Sequence, residues 1–258
     1  MIAFTYDSTF EGLLCAVFDA YTQRIFPDAL VGINEIPPLI ASRVHAVSTE
    51  EAHFERVYQG LKKRLSPRGM QQLKYAWLSE EAGAGMAAFR YIRKVFDARA
   101  PVEGDLADPD IFAIIKLARK VAKDAHLLLG FVRFQKTADG KYAATISPKH
   151  NILPLLLRHF ASRFAEQQWI IFDMGRQYGV MHDGLGFHDV YLDNGQIADL
   201  VKNIGRLPVG ELAADELLVQ DLWKTYFASV SIKERENPRQ QRRCMPRRFW
   251  DFLTEKQY

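Results

Sequence analysis

The stretch RQQRRCMPRRFW, residues 239–250, sets five arginines beside two large aromatic residues. A guanidinium is a planar fork that matches a phosphate, and an aromatic face can stack on an unpaired base. Arg242, Arg243, Arg247, Arg248, Phe249 and Trp250 are therefore candidate nucleic-acid contacts. Two other segments repeat the pattern. Lys116, Arg119, Lys120 and Lys123 recur at three- and four-residue steps of a helical stretch, opposite Ile111, Ile114, Ile115, Ala118 and Ala122. The motif GFVRF puts Phe131, Arg133 and Phe134 on what reads as a strand. A solvated helix face accounts for the lysine stripe by itself. Taken together, the three segments point to nucleic acid.

A second set of residues could do acid–base work: His126, His150, His159, Asp173 and Asp183. Local capping or packing accounts for each histidine singly. MHDGLGFHD holds two His-Asp pairs, His182-Asp183 and His188-Asp189, which a hairpin would bring face to face. Asp-Gly is also an ordinary turn dipeptide, so turn chemistry is the simpler account and no metal is expected. Other chemistries are excluded by pattern. The sequence has no phosphate-binding GxxxxGK[ST], no GxGxxG after a strand, no GxSxG elbow and no deaminase HxE with PCxxC. Cys15 and Cys244 are too far apart in sequence for a CxxC motif. No cofactor is expected.

Composition sets the frame for these candidates. At 258 residues, 48% hydrophobic and 25% charged, the chain is an ordinary globular sequence with enough length for a real core. From Lys233 to Arg248 seven basic residues face two acidic ones, whereas the formal net charge of the whole is only +3. The positive charge is thus localised, which suits a partner surface better than a uniformly basic protein. No run is apolar enough to span a membrane, and the first residues lack the basic region of a secretory signal. A cytoplasmic protein without membrane partners is expected.

Periodicity predicts a strand at MIAFTY, then a helix capped by Asp7, Ser8 or Thr9, then an irregular connector over FPDALVGINEIPPLI. Helices follow from Ser48, from Ser66 with Pro67 in its first turn, over MAAFRYIRKVFDA, and over DIFAIIKLARKVAKDAHLLL. Beyond them come a hairpin around Asp139-Gly140, an apolar helix from Ile152, three short strands, and a helix over ADELLVQDLWKTYFASV. Strands and helices do not alternate regularly. The expected class is α+β, with a helical N-terminal half, a mainly antiparallel sheet holding one inserted helix, and a C-terminal helix with a basic tail. One globular domain over 1–232 is expected, with a possible division near 127 into helical (1–127) and sheet-containing (128–232) parts, and a basic segment over 233–258.

YDSTFEGLLCAVFDAY, KLARKVAKDAHLLLGFVRF, ISPKHNILPLLLRHFASRFAEQQWIIFDMGRQYGV and WKTYFASVSIKERENPRQQRRCMPRRFWDFL together resemble a bacterial family described as probable DNA metabolism proteins. The resemblance implies a role beside a radical SAM protein, or a relation to domains fused to uracil-DNA-glycosylase-like domains. Two isolated cysteines cannot supply the radical SAM cluster, and PVEGDLADPDIF lacks the glycosylase loop pattern. The expectation is therefore a DNA-binding accessory protein of a repair or modification system, with the chemistry in the partner. A nucleic-acid- or nucleotide-processing enzyme using the His/Asp groups is one alternative. A module that docks its basic tail on an acidic partner, anchored by Trp250, is another.

Overall fold

The run IAFTY is rich in residues that favour strands and forms β1 (Ile2–Tyr6). Thr9 caps α1 (Phe10–Gln23), its hydroxyl accepting from the Gly12 amide at 2.8 Å, while Asp7 accepts from both the amide and the hydroxyl of Thr9. The chain returns as β2 (Ala29–Gly32) and continues to β3 (Arg43–Ala46), and both pair parallel to β1 in the order β2-β1-β3. This corrects the expected irregular connector. ALVG lies inside it, and Pro37 and Pro38 fall beyond the strand, where they remove no ladder hydrogen bond. The computed structural model describes residues 1–33 and 35–256.

Four helices follow: α2 (Glu51–Arg64), α3 (Pro67–Trp77), α4 (Ala84–Asp97) and α5 (Pro109–Phe131). Ser66 caps α3 as expected, with Pro67 at the start. Helix α2 has no side-chain cap: Glu50, not Ser48 or Thr49, stands at its N-cap, and the Thr49 hydroxyl donates to Asp7. Phe4, Leu13, Leu14, Leu61, Leu73, Phe89, Ile92 and Ile114 bury the apolar stripes of these elements in one core. On α5, Ile111, Ile114, Ile115 and Ala118 are buried as the periodicity requires. Ala122 is exposed instead, and Val121 takes the buried position. The chain divides into two units, Met1–Ala122 and Lys123–Tyr258, and α5 gives residues to both.

The second unit is built on a five-stranded sheet ordered β4-β5-β6-β7-β8, made of β4 (Gln135–Lys136), β5 (Tyr142–Ile146), β6 (Trp169–Asp173), β7 (Tyr178–His182) and β8 (Phe187–Val190). Helix α6 (Leu153–Arg163) crosses over between β5 and β6, which are parallel, and the other three pairs are antiparallel. Helices α7 (Asn194–Lys202), α8 (Glu216–Ser229) and α9 (Pro238–Cys244) follow, with 3₁₀ segments over Arg247–Phe252 and Thr254–Lys256. The class is α+β. GFVRF is not a strand, since Phe131 ends α5 and the pairing begins only at Gln135.

Register gives this sheet one feature that positions a site. Tyr142 stands opposite Trp169, Trp169 opposite His182, and His182 opposite Phe187. Directly opposed residues share a face, so four strands contribute one continuous row of rings. Trp169 and His182 stack with centroids 5.2 Å apart, and Phe187 lies 5.4 Å from His182.

Candidate functional site

The basic C-terminal segment folds back on the second unit. Phe249 is 2% exposed and packs on Phe131 with centroids 5.5 Å apart. Arg248 lies over the Phe249 ring at 4.7 Å and donates to buried Asp124. Trp250 is half-buried, its indole N–H donating to the Met245 carbonyl at 2.9 Å and its face covered by Arg247 and Lys256. Glu255 is 4% exposed. Arg133 donates to it twice, at 2.7 and 3.1 Å, and the Trp223 indole N–H once, at 2.9 Å. Burial alone would raise the Glu255 carboxyl; the hydrogen bonds from Arg133 and Trp223 outweigh it and hold the group below its ordinary value.

These contacts sort the sequence candidates. Phe249 is a core residue and is not available to stack on a base. Arg133 and Arg248 are held by internal carboxylates, and Lys120 donates to Glu81 at 2.6 Å. Phe131 and Phe134 pack against Phe249 and Phe160. Arg242, Arg243 and Arg247 are exposed, with no carboxylate partner among the described residues. Arg239, which the sequence reading did not single out, joins them: on α9 it stands three and four residues before Arg242 and Arg243, on the same face. The Arg242 Nε donates to the Pro238 carbonyl at 3.1 Å, which leaves its terminal nitrogens for a ligand. Lys116, Arg119 and Lys123 are exposed along α5, the first two in the first unit and Lys123 in the second.

The acid–base candidates stand in different surroundings. His126 and His159 are exposed, His159 against the ring of Phe160. His150 is buried 3.7 Å from the Asp124 carboxylate. Asp173 is buried and accepts from the Gly175 and Arg176 amides and the Arg176 guanidinium, which anchors the β6–β7 turn. Burial pushes its carboxyl up, and Arg176 and the two amides offset this only in part. Asp183 accepts from Leu185 and Gly186 amides at 2.8 Å and pairs with His188 at 2.7 Å, so its carboxyl is held far down. The two His-Asp pairs do meet across a hairpin, where Asp183 and His188 form the side-chain ion pair, and Asp189 is exposed. Asp173 and Asp183 thus hold turns.

A feature the sequence did not announce is a pocket of about 570 Å³ in the second unit. Phe134, Tyr142, Phe164, Trp169 and Trp223 form its rings, and Arg133, Gln167, Glu216 and Gln220 its polar groups. Buried Glu216 accepts from the Lys136 amide and from Gln220, at 3.0 and 2.8 Å. Trp169 is 1% exposed and its indole N–H has no hydrogen-bond partner among the described residues. The sequence signal was there in part. Rings open β5, β6 and β8 and a histidine closes β7, and the strand register makes them one row, of which Tyr142 and Trp169 line the pocket.

An α+β protein with a ring-lined pocket and a folded-back basic segment is thereby defined. Residues 82–255 match the family described as a domain of unknown function (DUF4130), and the chain belongs to that family. No curated protein matches the chain. Among solved structures, the pGpG-specific phosphodiesterase PggH from Vibrio cholerae aligns over 89% of this chain and 99% of its own, at 12% identity and a TM-score of 0.29. A TM-score of that size does not establish a shared fold. No helix among the described residues is long and apolar enough to cross a membrane.

Proposed function

We propose that this chain is a DNA-binding accessory protein whose chemistry resides in a partner. The observation that carries the reading is the exposed face of α9. Arg239, Arg242 and Arg243 lie there together without carboxylate partners among the described residues, and Arg247 follows on the next turn. Guanidinium groups so placed gain most from phosphates, which accept charge-assisted hydrogen bonds from two nitrogens at once. The buried anchors Phe249, Leu253 and Glu255 tie down the segment that directly follows α9. Membership of a DNA repair or modification system, working with a radical SAM-type or glycosylase-like protein, is what the sequence resemblance adds to this reading.

The test is a variant that carries Arg239→Ala, Arg242→Ala and Arg243→Ala and leaves Arg248 intact, because Arg248 holds Asp124. Fluorescence anisotropy with labelled single- and double-stranded DNA is expected to show about tenfold or greater weakening at moderate salt, with an unchanged melting temperature. Equal affinities for wild type and variant would overturn the reading.

A further inference from the structure

The pocket is lined in part by α8, and three observations bear on what fills it. The first is Trp169, which lines the pocket and whose buried indole N–H has no hydrogen-bond partner among the described residues. A buried donor without an acceptor costs free energy, and an acceptor on a bound group would offset that cost. The second is Gly130, in the last turn of α5. A Cβ built there meets nothing within 4 Å, although Gly130 lines the pocket. Gly12, Gly60, Gly69, Gly85 and Gly195, the other α-helical glycines, each face a side-chain atom that a Cβ would meet. Glycine weakens a helix, and at position 130 no neighbour requires it. The space it leaves is open, at a residue that lines the pocket. The third is the lining itself: rings on several sides, with amide and carboxylate groups among them, and one cation, Arg133, which is already held by Glu255.

We infer that this pocket binds a planar heteroaromatic ring, a nucleobase. Ring walls select a flat π-system, and stacking tolerates every base. The unpaired indole N–H selects a ring with an acceptor in its plane, which a purine or pyrimidine has and a phenyl group lacks. Gln167, Gln220 and Glu216 offer the mixed donors and acceptors that a base edge uses. The absence of excess positive charge separates this site from the arginine face: it holds the base and leaves the phosphate to α9. The inference rests on the proposed function only for the source of the base, which is either a free nucleoside or an unpaired base in a strand.

The test pairs two variants with two kinds of ligand. Gly130→Leu fills the pocket from a position where added atoms meet open space, so it keeps or raises the melting temperature. Trp169→Phe keeps a ring but removes the N–H. Calorimetry with free nucleosides, and anisotropy with a single strand against the same strand made abasic, are run on wild type, both variants and the three-arginine variant. Nucleoside binding that is lost at least tenfold in Gly130→Leu, weakened several-fold in Trp169→Phe and retained in the arginine variant identifies a free-nucleoside site. A preference for the intact over the abasic strand, present in wild type and erased by Gly130→Leu with no change in salt dependence, identifies a strand base. If wild type binds no nucleoside and binds intact and abasic strands equally, the pocket does not take a base. The arginine-face reading is then judged separately, by the arginine variant.

Discussion

Replacing Glu255 by alanine is expected to destabilise the C-terminal unit by about 3–5 kcal/mol, the range for stripping one partner from a buried ion pair. The carboxylate takes two hydrogen bonds from Arg133 and one from the Trp223 indole. Alanine would leave the Arg133 charge and the Trp223 donor without the acceptor they share. It would also release the last turn from α8, and with it the wall of the pocket. Thermal melts at neutral pH would register a loss on the order of 10 °C. A midpoint within about 2 °C of wild type would show that the pair contributes little. The pH dependence has a fixed sign. The folded-state carboxyl lies below its unfolded value, so its contribution is complete above the unfolded value and is lost as pH falls through the folded one. In that acid window the wild-type midpoint falls more steeply than that of Glu255→Gln, which has no proton to take up.

Phe249→Ala is expected to cost about 3–5 kcal/mol, because it empties a ring-sized volume between Phe131 and Arg248. The effect separates two accounts of the aromatic pair. If Phe249 stacked on a base, its loss would lower DNA affinity and leave the melt unchanged. Buried as it is, its loss lowers the melting temperature, and the fraction still folded binds DNA as before. Trp250→Ala costs less, since its ring is only half-buried and its N–H bonds a carbonyl in the adjoining turn.

Much of the fold was legible in the sequence. The caps at Thr9 and Ser66, the hairpin at Asp139-Gly140, the helix opened by Pro154 and the strands around Trp169 all follow from local spacing. The β2 strand was hidden because four residues beside a diproline carry too little periodicity. GFVRF misled because alternating rings also occur where a helix ends and the chain turns into a core. The basic residues were legible as a set but not one by one. Arg133, Arg248 and Lys120 look like the other cations in sequence, and only the distant partners Glu255, Asp124 and Glu81 decide that they are structural. The pocket was the least legible feature. Its rings come from the segment between α5 and β4, from β5 and β6, from the residue that caps α6 and from α8, and their convergence is a property of register and packing.

The salt dependence of DNA affinity tests the central claim most directly. Each phosphate contact releases counterions, so log affinity falls linearly with log salt at about 0.7–0.9 per contact. Wild type and the Arg239, Arg242, Arg243 alanine variant are titrated with the same strand over a salt series. The account predicts a steep slope for wild type and one shallower by roughly 2–3 in the variant, as three lost contacts require. Parallel slopes, or no binding by folded wild type at low salt, would contradict it.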